Sequence, residues 1–362
     1  MTIGMRIAEL GEFGLIDLVA KKIEEWERRS AAEAQRSGEQ PVPGQLLIGV
    51  GDDTAAWLTD SPVQLATTDT LVQDVHFTLA TTTWYDLGWK SLAVNLSDIA
   101  AMGGSPTNAL ITLGLPGDVQ VEDILQFYDG MLDIATRFRT RLVGGDMVAS
   151  KSIFVTVSLS GVAAVPRALP ESPADVPLLK RSGARLGDRI AITGYLGAAA
   201  AGLRMLLSSQ HFERQIADHL YAAHARPVPR VAEGQLVLKA GVRAAMDISD
   251  GLLADLGKLC TASQVAARVR LEEIPIDPTV VAAYPKEAID LALGGGEDYE
   301  LLFTAPEETM ANALAMLPIG ASIIGEIVGG TPGQVEVVNR LGHEYVPRRV
   351  GWDHFDSPHR SP

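Results

Sequence analysis

Acidic residues in this chain stand at strand ends and turns rather than on amphipathic surfaces. They are Asp52 and Asp53 in IGVGDDTA, Asp69 in ATTDT, Asp98 in AVNLSDIAAMGG, Asp146 in LVGGDMV, and Asp247 and Asp250 in AMDISDGLL. Any one alone is explained as a turn former or helix cap. The set is not, because nearly every member follows an apolar strand or sits in an apolar helix, so folding gathers partly buried carboxylates. Like charges so placed raise one another's proton affinity or demand a cation. With no His or Cys cluster beside them, an all-oxygen donor set selects a hard ion such as magnesium or calcium. Glycines flank the acids in VGDD, VGGD and LGGGED. A tight turn explains one such loop. Three loops fit a backbone that approaches a bulky ligand and offers its N–H groups to phosphate oxygens, so the combination points to metal-bridged phosphate.

Two further patterns bear on the site. Leu87, Ser91, Asn95 and Asp98 recur at helical spacing among Leu92, Ala93, Val94, Leu96, Ile99 and Ala100. They predict a polar stripe lining a cleft or interface on an otherwise apolar helix. DISDGLLADLGKL opens with residues suited to a helix N-terminus, a natural anion site; capping accounts for Ser249 or Asp250 but not for Asp247 at a strand end. A P-loop is absent, GYLGAAAAG lacks dinucleotide-site spacing, and no G-x-S-x-G elbow or Cys/His pair occurs.

The elements that must position these residues follow from periodicity. Glu9–Arg28 predicts an amphipathic helix, and Ser30–Gln45, rich in Ala, Ser, Gln, Gly and Pro, a flexible insertion. LLIGV, VQLATT, RLVGG and SIFVTVSLSGVA predict strands; Asp86–Met102 and Glu122–Phe138 predict helices. After a Pro-rich stretch the pattern resumes with strands at RIAIT, RAAMDISDG, ARVRLEEI, EDYELLFTA and ASIIGEIV between helices. The fold class is therefore α/β (α+β) with two mixed domains of similar size: an N-terminal helix and insertion over 1–45, a domain over 46–164, a linker over 165–180, a second domain over 181–330 and a tail over 331–362. The apolar content of VQLATT and SIFVTVSLSGVA reads as too continuous for a sheet with one face in water. This predicts a homodimer, with Val155 and Val157 near its interface.

Composition removes whole classes of function. The chain has 362 residues, 47% of them hydrophobic, enough for two cored domains. Its formal charge of −15 repels a nucleic-acid backbone or an anionic membrane surface, though anionic small molecules bridged by cations remain compatible. One cysteine, Cys260, excludes an internal disulfide framework and a cysteine zinc site. With no membrane-length apolar run and no leader pattern, the expectation is a cytoplasmic protein without membrane or nucleic-acid partners.

In order, GDDTAAW, TDTLVQDVHF, LAVNLSDIAAMGGSP, LVGGDM, KRSGARLGDRIAITG, MDISDGLLADLG and GGGEDYELLF resemble the thiamine-monophosphate kinase family, within the ATP-using superfamily of aminoimidazole ribonucleotide synthetase. The likeness runs from Gly11-Glu12-Phe13 to Trp352-Asp353-His354-Phe355. It implies an N-terminal domain whose sheet closes a barrel-like dimer interface, an α/β C-terminal domain, and ATP at the cleft between them. It further implies that Asp53, Asp69, Asp98 and Asp146 hold several magnesium ions, with Asp247 and Asp250 adding metal contacts and Thr67 and Thr68 supplying oxygens. Gly145, Asp146, Arg181 and Ser249 are the implied ATP contacts. His76, Glu297 and Trp352 are the implied contacts to thiamine monophosphate, the acceptor in direct in-line transfer from ATP that yields thiamine diphosphate. For Trp352 the alternative is a tail residue docking on the core.

This sequence departs from the family pattern at Met147, which stands where a Thr usually follows GGD, at Asp74 beside the substrate histidine, and in the 30–45 insertion. Selenophosphate synthetase and the hydrogenase maturation factor depend on a reactive cysteine that is missing here. Aminoimidazole ribonucleotide synthetase lacks the TDTLV…VHF run. A catalytically dead sensor is the alternative from another class, yet no acid of the metal set is lost.

Overall fold

The chain divides into two units, Met1–Pro177 and Leu178–Pro362; the computed structural model describes residues 5–37, 46–48, 56–59, 61–163, 176–208 and 210–352. The first unit runs α1 (Ile7–Leu10), α2 (Glu12–Ser37), β1 (Leu46–Ile48), β2 (Ala56–Trp57), β3 (Gln64–Val72), α3 (Trp84–Ala101), β4 (Gly104–Leu115), α4 (Val121–Arg137), β5 (Arg141–Ala149) and β6 (Phe154–Ala163). β1 and β2 form a small antiparallel pair, while the main sheet has the order β3-β6-β4-β5 with only β4–β5 parallel.

Strand alternation decides which face of that sheet is covered. Val155, Val157 and Leu159 of β6 and Ile111 and Leu113 of β4 pack with Leu92, Leu96 and Ile99 of α3 and Phe127 and Met131 of α4. The intervening residues carry hydroxyls: Thr70 Oγ1 lies 2.9 Å from Thr156 Oγ1, and Ser158 Oγ donates to Thr68 Oγ1 at 3.3 Å. The strands are thus apolar on one face only, and the expectation of continuous apolar strands is corrected. Val155 and Val157, each 1% exposed, belong to the core beneath the helices and not to the open face. That open face keeps Leu110 and Val148, 42% and 40% exposed. The two covering helices touch through glycine. A Cβ on Gly88 of α3 would meet Phe127 O at 1.8 Å, and one on Gly130 of α4 would meet Tyr85 O at 1.9 Å, so each backbone nests against the other.

Two expectations about helices change. The segment from Ser30 continues α2 as far as Ser37 rather than forming a flexible insertion; residues 38–45 lie outside the described residues. The amphipathic helix docks through Leu15, Val19 and Ile23, and Trp26 Nε1 donates to Thr136 Oγ1 of α4 at 2.6 Å. On α3, Ser91 and Asn95 are buried in the core rather than facing a cleft. Their donors are satisfied one turn back, Ser91 Oγ by Leu87 O and Asn95 Nδ2 by Ser91 O. Only Asp98 of the stripe reaches partial exposure.

The second unit contains β7 (Arg189–Thr193), α5 (Ala198–Leu207), α6 (Arg214–Ala225), α7 (Val231–Lys239), β8 (Ala244–Asp247), α8 (Leu252–Ser263), β9 (Ala266–Arg270), a 3-10 turn at Leu271–Glu273, α9 (Pro278–Ala283), α10 (Ala288–Gly294), β10 (Leu301–Ala305), α11 (Glu307–Met316), β11 (Ala321–Val328) and β12 (Val335–Val338). Its six strands lie in the order β12-β9-β11-β7-β10-β8, antiparallel except β12–β9. Residues 335–338, in the segment read from sequence as a tail, are thus an edge strand. Alternate residues of the central strands face opposite layers. Ile190, Ile192, Met246 and Leu302 pack with Leu252, Leu256 and Leu259 of α8, whereas Ala191, Ala245 and Phe303 pack with Val237 of α7 and Met310 of α11. Helices on both faces explain why β7, β8 and β10 are buried almost throughout. No helix among the described residues is long and apolar enough to cross a membrane.

Candidate active site

In the first unit β3 and α3 bring Thr67, Asp69 and Asp98 together. Thr67 and Asp69 share the helix-facing side of β3, and Thr67 Oγ1 donates to Asp98 Oδ2 in a short hydrogen bond. Burial, then the charge of Asp98 and a hydrogen bond to it, push the Asp69 carboxyl up to about 6. Burial and the neighbouring charge of Asp98 thus both favour the protonated form of Asp69. One turn before Asp98, the buried Oδ1 of Asn95 has no partner among the described residues. Paired carboxylates and a hydroxyl are hard oxygen donors of the kind that magnesium takes.

The other residues expected in this unit stand apart. Thr68 points to the open face, where its hydroxyl donates to Val157 O at 3.1 Å. Gly145 lies in the cross-strand row of Asp69 through Val157 and Ile111, but on the far edge strand. Three strand spacings make that roughly 14 Å. Met147 packs against the helix-side core, so Asp146 between them projects from the opposite face, its Oδ1 accepting from Met147 N at 2.9 Å. His76 sits in the turn after β3; its Nδ1 accepts from Val72 N at 3.0 Å, and Asp74 beside it adopts φ 64°. It is half-buried and held to its own turn, not a core histidine. Asp52 and Asp53 lie outside the described residues. Among the described residues no three His, Cys, Asp or Glu side chains gather closely enough to hold a metal.

The second unit concentrates its candidates on one loop. Asp247 ends β8, buried at 4% exposure. After it the chain is stitched to the segment before β10: Ile248 N donates to Glu300 O at 2.8 Å, Tyr299 N to Ile248 O at 2.9 Å and Glu297 N to Ser249 O at 2.8 Å. Trp352 N donates to Asp250 O at 3.0 Å. Asp247, Ser249, Asp250, Glu297 and Trp352 therefore share one neighbourhood. Trp352 is 45% exposed, with the Arg349 guanidinium 5.7 Å from its ring centroid. Arg181 is exposed just beyond the Lys180–Ala244 bridge, its carbonyl accepting from Ser263 Oγ at 3.0 Å.

Several side chains that organise this loop escaped the sequence reading. Asp255, in the first turn of α8 and fully buried, accepts with one oxygen from the N–H groups of Ser249, Asp250 and Gly251 at 2.9, 2.9 and 3.2 Å. Its other oxygen accepts from Lys258 Nζ at 2.8 Å, and Lys258 also bonds Asp250 Oδ2. Burial pushes the Asp255 carboxyl up, against the pull of Lys258. An acid in the first helical turn is the signal that could have found it. Glu297 and Tyr299 hold left-handed backbone at φ 69° and 50°, unusual for such residues. Between them, burial lifts the Asp298 carboxyl to about 8 although it accepts from Gly197 N at 2.9 Å at the start of α5. Glu300 is clasped by Arg230, with Nε to Oε2 at 2.7 Å, and by the Thr193 hydroxyl. No local pattern announces the partners of Asp298 and Glu300, because each comes from a distant segment of the chain.

Comparison with known proteins places the geometry in context. The AIR synthase related protein models match the chain over residues 51–165 for the N-terminal domain and 185–338 for the C-terminal domain. The chain is 35% identical over 354 residues to the thiamine-monophosphate kinase of Aquifex aeolicus (strain VF5), covering 97% of this chain and 100% of that one. To the thiamine-monophosphate kinase of Escherichia coli (strain K12) it is 37% identical over 317 residues, 86% of this chain and 93% of that one. Among solved structures, AaThiL complexed with AMPPCP and TMP superposes with a TM-score of 0.69 at 33% identity, covering 97% of this chain and 99% of that one.

Proposed function

Because the chain belongs to the thiamine-monophosphate kinase family, we propose that it transfers the γ-phosphoryl group of ATP directly to the terminal phosphate of thiamine monophosphate, forming thiamine diphosphate. The observation that carries the reading from this chain's own residues is the Asp69–Asp98 pair with the Thr67 hydroxyl, an anionic oxygen cluster built for a hard cation. Magnesium, when bound there, screens the facing phosphates and neutralises charge that develops on the transferring group. Thr67 orients Asp98 through its hydrogen bond. The acceptor phosphate is already ionised near neutral pH, so the reaction needs no strong base.

The remaining assignments belong to the same reading. The further metal contacts that the family likeness implies are Thr68, Asp53 and Asp146 in the first unit, with Thr68 and Asp146 on the opposite face of the sheet from Asp69 and Asp98, and Asp247 and Asp250 in the second. For Asp250 this means exchanging Lys258 for a metal ion. Gly145, Asp146, Arg181 and Ser249 contact ATP, and the Asp255 carboxylate holds the Ser249 loop in shape for it. His76, Glu297 and Trp352 contact thiamine monophosphate. The working form is a homodimer that covers the open face of the N-terminal sheet. A single buried cysteine suits the reducing cytoplasm.

A coupled assay of ATP consumption with thiamine monophosphate, free thiamine or no acceptor tests the reaction. Turnover is expected with the monophosphate alone, because nothing in this set serves as a base to activate a hydroxyl. Equal turnover of free thiamine would overturn it.

A further inference from the structure

Building on the reading of Trp352 as a contact to the acceptor, we infer that Asp290 is a positioning residue that ties down the C-terminal segment and so sets Trp352 in place for thiamine monophosphate. Beyond β12, residues 339–352 form no helix or strand. The chain turns back at Asn339, whose Oδ1 accepts from Leu341 N at 2.9 Å and His343 N at 3.0 Å, and Tyr345 N donates to Val337 O at 2.8 Å. From there to Trp352 apolar anchorage is slight, with Val346 and Val350 78% and 58% exposed. Such a segment is ordered by the specific bonds it makes, and ordering it only when a ligand arrives would cost affinity.

Asp290 gathers those bonds onto one carboxylate. It stands in the first turn of α10 with its side chain 15% exposed. Its Oδ1 accepts from the Tyr345 hydroxyl at 3.0 Å and from Arg348 N at 3.3 Å, while Oδ2 lies 3.3 Å from Arg348 Nε. The guanidinium is 78% exposed, so the ion pair adds little. The hydroxyl and the main-chain N–H fix the path. Held there, the following residues lie directly on the elements that carry the site: a Cβ on Gly294, the last residue of α10, would run into Arg349 O, and one on Gly351 would meet Asp250 O at 2.8 Å. Trp352 N then donates to Asp250 O at 3.0 Å. The same short helix runs on through Gly295 and Gly296 to Glu297, so it bears the tether near its start and leads into the other acceptor contact after its end. A residue acting this way serves acceptor affinity and leaves ATP binding and the transfer step unaffected.

The test compares three variants. Asp290→Ala removes the whole tether, Asp290→Asn keeps an acceptor oxygen for Tyr345 and Arg348 N, and Tyr345→Phe deletes one hydroxyl from the tail while leaving α10 intact. Steady-state kinetics are measured for both substrates, alongside melting temperatures and the rate of trypsin cleavage after Arg348 and Arg349, located by mass. Asp290→Ala is expected to raise KM for thiamine monophosphate about tenfold and to speed that cleavage about tenfold, leaving kcat and KM for ATP within roughly twofold. Tyr345→Phe should raise the same KM about threefold, and Asp290→Asn should recover most of the loss. Combined with Trp352→Leu, Asp290→Ala should add little further to KM, since the group it positions is gone. A normal KM for thiamine monophosphate in Trp352→Leu would overturn the substrate contact and the inference with it. A raised KM there with a normal one in Tyr345→Phe, unchanged cleavage in Asp290→Ala, additive effects in the double variant, or an Asn variant as impaired as the Ala variant, would overturn the positioning role alone. Should Asp290→Ala fail to fold, Tyr345→Phe decides through the same KM and cleavage readouts.

Discussion

At Asp69 and Asp98 two carboxylates meet on the covered side of a sheet, and the consequence can be measured as pH-dependent stability. Burial and Asp98 raise the Asp69 carboxyl from 3.8 to about 6. Without metal, the folded protein therefore keeps a proton that the unfolded chain releases near pH 4. Its stability falls as pH rises from about 4 to about 6, by on the order of 2 kcal/mol. Asp69→Asn cannot ionise and escapes this fall. In the presence of chelator its melting temperature should match the parent's near pH 4 and exceed it near pH 7, while its turnover is abolished. A parent protein that gains stability relative to the variant across that range would refute the raised Asp69 carboxyl. The residue types were legible in the motifs, since an acid after an apolar strand announces itself. That Asp69 answers to Asp98 was not, because a charge finds its partners through space and not along the chain.

Elements reach their places by close approach as much as by hydrophobic pattern. Gly88 and Gly130 let α3 and α4 nest backbone to backbone, and α3 is the element that carries Asp98. Gly88→Ala or Gly130→Ala places a methyl where a carbonyl oxygen already stands, so the helices must separate at a cost of about 1–3 kcal/mol. Chemical denaturation should show each midpoint lowered, whereas Gly329→Ala, with no atom within 4 Å of its added Cβ, should change stability by less than roughly 0.5 kcal/mol. Unchanged midpoints at both helical glycines would contradict the packing. Helical periodicity located both helices to within about two residues. It also produced an error: Ser91 and Asn95 read as a cleft-lining stripe, yet short polar side chains can bond their own helix carbonyls and lie buried.

On the scale of the whole molecule each unit holds its own acids, Asp69 and Asp98 in the first and Asp247 and Asp250 in the second. The homodimer proposed above is tested on the open face of the N-terminal sheet. Leu110→Arg puts a charge at an exposed apolar position there and should yield monomers with reduced activity by light scattering and assay; a parent protein that is monomeric and fully active would exclude the dimer as a requirement. The original ground for expecting a second covered face, continuous apolar strands, has gone, since β6 alternates and Val155 and Val157 turn inward. What the sequence by itself determined was local: strand and helix periods, caps and turns, the order of the acid and glycine motifs, and with them the α/β class and the family resemblance. Only the tertiary structure decided which acids face one another. The alternation of faces along β3 and the packing of α3 on its covered side set Asp69 beside Asp98, while the strand order β3-β6-β4-β5 sends Asp146 to the far edge. Periodicity is written in neighbouring residues, whereas register between distant strands and the crossing of helices is settled by how the assembled side chains pack.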